Sequence, residues 1–297
     1  MRVTKLEINR NLLSDLERLN RNFVDVNRQL TSTKKLNSLS DSPIGSAYLV
    51  DITEQALRLD TYRFNITSAA YQLKSAESAL NAVNNVFVSI HTLGMQAANE
   101  TLTTDSRRAI LNEIETLRDE LISRANSQVD GRYIFAGTAV GQEPFGLDAS
   151  NVLEYRGNRE VHSFLVGDGV EVETNVNAED YLLPALRAVD DLIINLKTAI
   201  DNGNAVGIDV ALEDFAGALN QLGQARGQLG VNLSVTERMA AMIDTRDGVL
   251  REQRSNIEDA NILEVVVRIE ELRLAINAAM TGGGAILRQS NLFDVVG

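Results

Sequence analysis

The chain has 297 residues with no cysteine, no tryptophan and only three prolines, and its 28 basic against 41 acidic side chains leave a net charge of −13. Without cysteine there is no disulfide scaffold, thiolate metal site or cysteine nucleophile. The acidic balance argues against nucleic acid or an anionic membrane as partner, since their phosphates need basic surface. No apolar run of about 20 residues is present to span a bilayer, and Met1–Arg10 lacks the apolar core expected of a secretory signal.

Scarce proline predicts long helices, because proline is tolerated only in a helix's first turn. In the first zone Leu12, Leu16, Leu19, Phe23, Val26 and Leu30 follow one another at alternating spacings of 4 and 3. That seven-residue repeat puts one narrow apolar seam on a helix. The seam breaks at Thr31–Lys35, ahead of the turn-prone Ser40-Asp41-Ser42-Pro43. A second seam runs Leu59, Tyr62, Ile66, Ala69, Leu73, Ala76, Leu80, Val83, Phe87, Ile90 and predicts a long helix. Thr103 then offers an N-cap to a third helix that carries Ile110, Ile114, Leu117 and Leu121 on one face.

Between Gly131 and Tyr181 the texture changes. This stretch holds six of the 14 Phe and Tyr residues and seven of the 20 glycines, with 3 basic against 9 acidic side chains. The period-two runs 152–156, 161–166 and 170–173, bounded by Gly157-Asn158 and Gly167-Asp168-Gly169, read as β-hairpins. From Leu182 the helical period returns with Leu186, Val189, Ile193, Leu196 and Ile200, and stops at Asp201-Asn202-Gly203-Asn204. A very long helical tract follows, carrying Leu212, Phe215, Leu219, Leu222, Leu229, Leu233 and Ile243. The last zone reads Ile262, Val265, Ile269, Leu272, Ile276, Ala279, Gly283, Ile286, Ser290, Phe293, again at spacings of 3 and 4.

The reading is therefore a mainly α chain: an elongated rod of long helices, with paired N- and C-terminal coiled-coil segments and a small inserted β-domain. The expected division is 1–42 with 262–297 as a terminal coiled coil, 43–130 with 182–261 as a helical shaft, and 131–181 as an outer β-rich domain. A lone helix with an apolar seam is marginal in water, so the terminal seams are natural partners for each other or for neighbouring subunits. Leu12, Leu16, Leu19, Phe23, Val26, Leu30, Ile262, Val265, Ile269, Leu272, Ile276, Ala279, Ile286 and Phe293 are the candidate packing residues.

No catalytic constellation emerges. The two histidines, His91 and His162, fall in different zones without zinc-motif spacing. His91 reads as a helix-surface or interface residue, and His162 as a hairpin residue beside Glu160. Gly282-Gly283-Gly284 lacks the lysine of a phosphate loop; inside a helix it reads either as a weak point or as a close approach between helices. Asn65-Ile66-Thr67, Asn99-Glu100-Thr101 and Asn232-Leu233-Ser234 match the glycosylation pattern and are treated as chance. Neither an enzymatic activity nor a cofactor is expected.

Several blocks carry a resemblance. Leu30–Asn37 followed by Asp41-Ser42-Pro43, then Ala76–Leu80, Met95–Asn99 and Arg124-Ala125-Asn126, resemble the N-terminal part of the bacterial flagellin superfamily. Ser255–Ala260, Ile276–Ala279 and Ile286–Phe293 are similar to its C-terminal helix. Asp130-Gly131-Arg132-Tyr133-Ile134-Phe135-Ala136-Gly137-Thr138, with Pro144-Phe145, resembles the branch that joins hook to filament. The resemblance implies a structural subunit exported through the flagellar type III pathway to the extracellular flagellum, and terminal segments that fold on incorporation into a homo-oligomeric ring. It implies as partners the proximal junction protein, flagellin, the filament cap and a flagellar export chaperone, with neither nucleic acid nor membrane insertion. A flagellin-like filament subunit and a soluble coiled-coil adaptor are the alternatives.

Overall fold

The computed structural model describes residues 2–38, 40–148, 152–202 and 206–289. Of the candidate packing residues, Phe293 and the Ile286 side chain lie outside what is described.

The chain is mainly α, as its seams require. Helix α1 (Arg2–Ser32) ends where the first seam breaks. Helix α2 (Pro43–Ala97) begins on proline, whose missing N–H is harmless at a first helical position. The preceding Ser42 Oγ accepts the Gly45 N–H at 3.1 Å. Helix α3 (Thr104–Ala125) is capped as expected, with Thr103 Oγ1 accepting from Ser106 N. A single turn, α4 (Ala178–Tyr181), leads into α5 (Leu183–Asn202). The long α6 (Val206–Glu258) and the final α7 (Ile262–Gln289) complete the helices.

Contacts divide the chain into two compact units, Met1–Arg58 with Thr245–Gly297 and Leu59–Asp244. These limits fall inside α2 and α6, whereas the sequence boundaries at 42/43 and 261/262 fall at helix starts. In the first unit α1 and α7 pair antiparallel. Val26, Val265 and Ile269 are buried together, with Phe23, Leu30, Ala260 and Leu272 packed around them. At the other end of the pair Leu12 lies over Gly283, close enough that a Cβ there would sit 2.5 Å from Leu12 Cδ2.

In the second unit α2, α3, α5 and α6 share an apolar core that includes Leu80, Ile114, Leu192 and Phe215. Phe87 of α2 stacks on Phe215 of α6 with ring centroids 4.4 Å apart and planes 13° from parallel. Gly94 lets α2 come close to Leu192 and Leu212, whose methyls lie 2.9–3.0 Å from where its Cβ would be. Buried Arg107 donates to the carbonyls of Ala97 and Asn99, satisfying acceptors that the end of α2 leaves open.

Three antiparallel strand pairs make up the β region. Strands β1 (Gln128–Val129) and β2 (Arg132–Tyr133) are joined by Asp130-Gly131, with φ of 52° and 75°, as a two-residue hairpin turn of this twist demands. Strands β5 (Ser163–Gly167) and β6 (Val170–Glu173) form the hairpin expected around Gly167-Asp168-Gly169, with a bulge between Leu165 and Gly167. The run at 152–156 departs from the hairpin reading. Its strand β4 (Leu153–Tyr155) does not turn at Gly157-Asn158 to meet 161–166, but pairs backward with β3 (Phe145–Leu147). Asn158 is otherwise engaged: its Oδ1 accepts Thr138 N at 2.9 Å, and its Nδ2 donates to Thr138 Oγ1 at 2.7 Å.

Candidate functional site

The seam residues converge on the terminal helix pair. Val26 of α1 meets Val265 and Ile269 of α7, with Phe23, Leu30 and Leu272 beside them. Leu16, Leu19, Ile276 and Ala279 fall between this cluster and the Leu12–Gly283 contact and are half-buried. Each fully buried aliphatic group contributes about 1.5–3 kcal/mol, so the cluster holds the pair. Ile262 departs from the pattern at 39% exposure. It opens α7 at the level where α1 has already ended at Ser32, so little of the partner helix remains to cover it. Of the three glycines, Gly283 is the close approach, while nothing lies within 4 Å of a Cβ at Gly282 or Gly284.

Below the cluster the two connectors are laced together. Lys35 N donates to Glu258 O at 2.8 Å and Ala260 N to Thr33 O at 2.9 Å, around an antiparallel bridge of Lys34 with Asp259. Lys34 Nζ pairs with Glu258 Oε1, Arg254 Nε donates to Glu258 Oε2 at 2.8 Å, and Lys35 Nζ reaches the Asn256 carbonyl at 2.6 Å. The Lys34 hydrogen bond, aided by Arg254, holds the Glu258 carboxyl below its ordinary range. Thr33 stands at φ 59°, a conformation that costs a non-glycine residue free energy; its carbonyl is the one that accepts Ala260 N.

Next comes the Asp41-Ser42-Pro43 loop. Asp41 accepts from Asn37 N at 2.8 Å, Ser38 N at 2.9 Å and Ser38 Oγ at 2.7 Å. These bonds, Ser38's side chain foremost, lower its pKa. The loop sets Leu36 against α2, where a Cβ on Gly45 would lie 2.9 Å from Leu36 Cδ1. The sequence reading missed Lys34, Lys35 and Glu258 as a unit. The available signal was two adjacent lysines at the end of one seam and Glu258-Asp259 at the start of the other.

The second unit uses its singled-out residues structurally. His91 packs 5.7 Å from the Phe215 ring. His162 N donates to Asn175 Oδ1 at 2.8 Å, and its carbonyl accepts Thr174 N at 2.8 Å. Asn65 and Asn232, read as chance glycosylation matches, donate their amides to the Leu165 and Glu173 carbonyls at 2.8 Å, tying the β5–β6 hairpin to α2 and α6. Among the described residues no group of three His, Asp or Glu side chains is placed to hold a metal ion, and no described helix is long and apolar enough to cross a membrane.

Two laced terminal helices, a helical core and a small β insert make up the described chain. Residues 3–140 match the bacterial flagellin N-terminal helical region. The chain is similar to flagellar hook-associated protein 3 of Salmonella typhimurium, 24% identical over 269 residues that span 82% of this chain and 84% of that protein. The flagellin of Clostridium tyrobutyricum is 29% identical, over only 45% of this chain and 37% of its own length. The fold matches the crystal structure of the flagellar junction protein FlgL from Legionella pneumophila with a TM-score of 0.62 at 13% identity, covering 71% of this chain and all of that one.

Proposed function

We propose that this chain is a structural subunit of the bacterial flagellum that forms the junction between hook and filament, working by packing rather than catalysis. The observation that carries this reading is the extent of the likeness: it runs through most of the hook-associated protein's length, β insert included, while the matches to the flagellins of Clostridium tyrobutyricum and Helicobacter pylori cover only 37% and 48% of those proteins. The subunit leaves the cell through the flagellar type III pathway, and a chain without cysteine carries no risk of a premature disulfide on that route. Its copies form a ring that meets the proximal junction protein on one side and flagellin or the filament cap on the other, after release from an export chaperone. The laced pair of α1 and α7 is the assembly element. Its seams, from Leu12 to Leu30 and from Val265 to Ala279, supply the cohesion, and the pair folds fully only on incorporation.

Deleting the gene tests this. The expected phenotype is intact hooks, no filaments, and unpolymerised filament subunits in the medium, restored by the wild-type gene. Normal filaments in the deletion strain overturn the reading. Hooks that assemble no filament protein anywhere, with none secreted, favour a filament subunit instead.

A further inference from the structure

Within the first unit two apolar surfaces are left uncovered. One is a groove of 590 Å³ between the lip Leu36-Asn37-Ser38 and the α2 wall Ser46–Leu57. Val50 and Leu57 on that wall are 61% and 62% exposed. The other is the outward stripe of α7, where Leu263, Val267 and Leu274 are 80%, 58% and 69% exposed. Their spacing of i, i+4 and i+11 places all three on one face, while Val265, Ile269 and Leu272 are taken up against α1.

Resting on the junction reading, we propose that this groove receives the Leu263–Leu274 stripe of a second copy of the chain. The two surfaces match in length. Ser46 to Leu57 and Leu263 to Leu274 each advance eleven residues, about 16 Å of helix at 1.5 Å per residue. They also match in charge. Glu54 in the wall is paired with Arg58 at 2.8 Å, and Glu270 in the stripe with Arg273 at 3.1 Å, so docking strands no lone carboxylate.

Net charge permits a like partner. The first unit holds 15 basic and 15 acidic residues, whereas Leu59–Asp244 holds 13 basic and 26 acidic and carries the whole −13. Copies can therefore meet through the first unit without net repulsion. Groove and stripe are different patches, so in a ring each copy gives its stripe to one neighbour and takes the stripe of the other. Such a head-to-tail contact closes into a ring or continues as a helix, whereas a reciprocal exchange between two copies would stop at a two-fold dimer and yield no ladder beyond it.

The absence of cysteine makes the test clean, since the introduced thiols are the only ones in this chain. Hooks carrying the junction are isolated from cells expressing the full chain with V50C and V267C, and treated with a short flexible bis-maleimide. A ladder of dimers, trimers and higher species is expected. Each single variant, and V50C combined with V24C on exposed α1 surface, should stay free of the ladder. No ladder, an equal ladder with V24C, or capture of a different flagellar protein by V50C overturns the proposal. Independently, L57D and L274D should each lower recovery of the chain on hooks by about 30-fold, the change equivalent to losing one leucine-sized burial, with the thermal unfolding of the second unit unchanged. Full recovery of both variants sinks the groove–stripe contact and leaves the junction reading standing, because that reading fails only on the deletion phenotype.

Discussion

Phe215→Ala should unfold the second unit at a markedly lower temperature. The Phe215 ring is fully buried, stacks at 4.4 Å on Phe87, and has His91 at 5.7 Å on its border. Truncation opens a cavity the size of a phenyl ring between α2 and α6, and Phe→Ala changes at such sites cost about 3–5 kcal/mol. The ring–ring contact itself accounts for about 0.5–1.5 kcal/mol of this. For a unit of this size each kcal/mol lowers Tm by about 2–4 °C, so a drop of about 6–20 °C is expected by calorimetry. Because Phe87→Ala removes the same stack, the double variant should cost less than the sum of the single ones, by at least the ring–ring amount. A fall of under about 2 °C would refute burial of this ring. Strict additivity of the two substitutions would refute the stack.

Two further predictions concern the connectors and the β region. Glu258 is held ionised by Lys34 and Arg254, so its folded-state pKa lies below the ordinary value of 4.5. The stabilisation is therefore present above that value and is lost as pH falls through the lowered folded pKa. Protection of Lys35 N and Ala260 N against hydrogen exchange in assembled material, taken relative to the intrinsic rate at each pH, should fall over that acid range, and E258Q should flatten the dependence; an identical profile in E258Q removes Glu258 from the lacing. Gly137→Ala should disorder the β region, because Gly137 stands at φ 66° with its Cβ position 2.4 Å from the Asn158 carbonyl oxygen. A cost above about 2 kcal/mol is expected, against almost none for Gly141→Ala, where the space is open; equal stability of the two variants would contradict that geometry.

Periodicity was enough to locate the helices. The heptad positions of α1, the ten-residue seam of α2 and the Thr103 cap are local properties, set by 3.6 residues per turn and by which side chains avoid water. The same logic made Val26, Val265 and Ile269 legible as buried before any partner was known. The Gly167–Gly169 turn was readable for a similar reason, since a two-residue hairpin loop is specified by its own residues.

What chain order could not supply is which surfaces meet. Strand β4 pairs back to β3 because Asn158 is committed to Thr138, a contact across twenty residues that no alternation pattern encodes. Lys34 and Glu258 lie 224 positions apart, and only the antiparallel pairing of α1 with α7 brings their connectors together. Ile262 continues its seam in sequence yet stays exposed, because burial depends on where the partner helix ends. Sequence by itself determined that this is a cysteine-free chain of long helices with apolar seams at both termini and an acidic β insert. The tertiary structure decided that those seams face each other within one chain, which leaves the α2 groove and the outer stripe of α7 free to face a neighbour. The reason is physical: a helix buries one stripe at a time, and only packing reveals which stripe is spent.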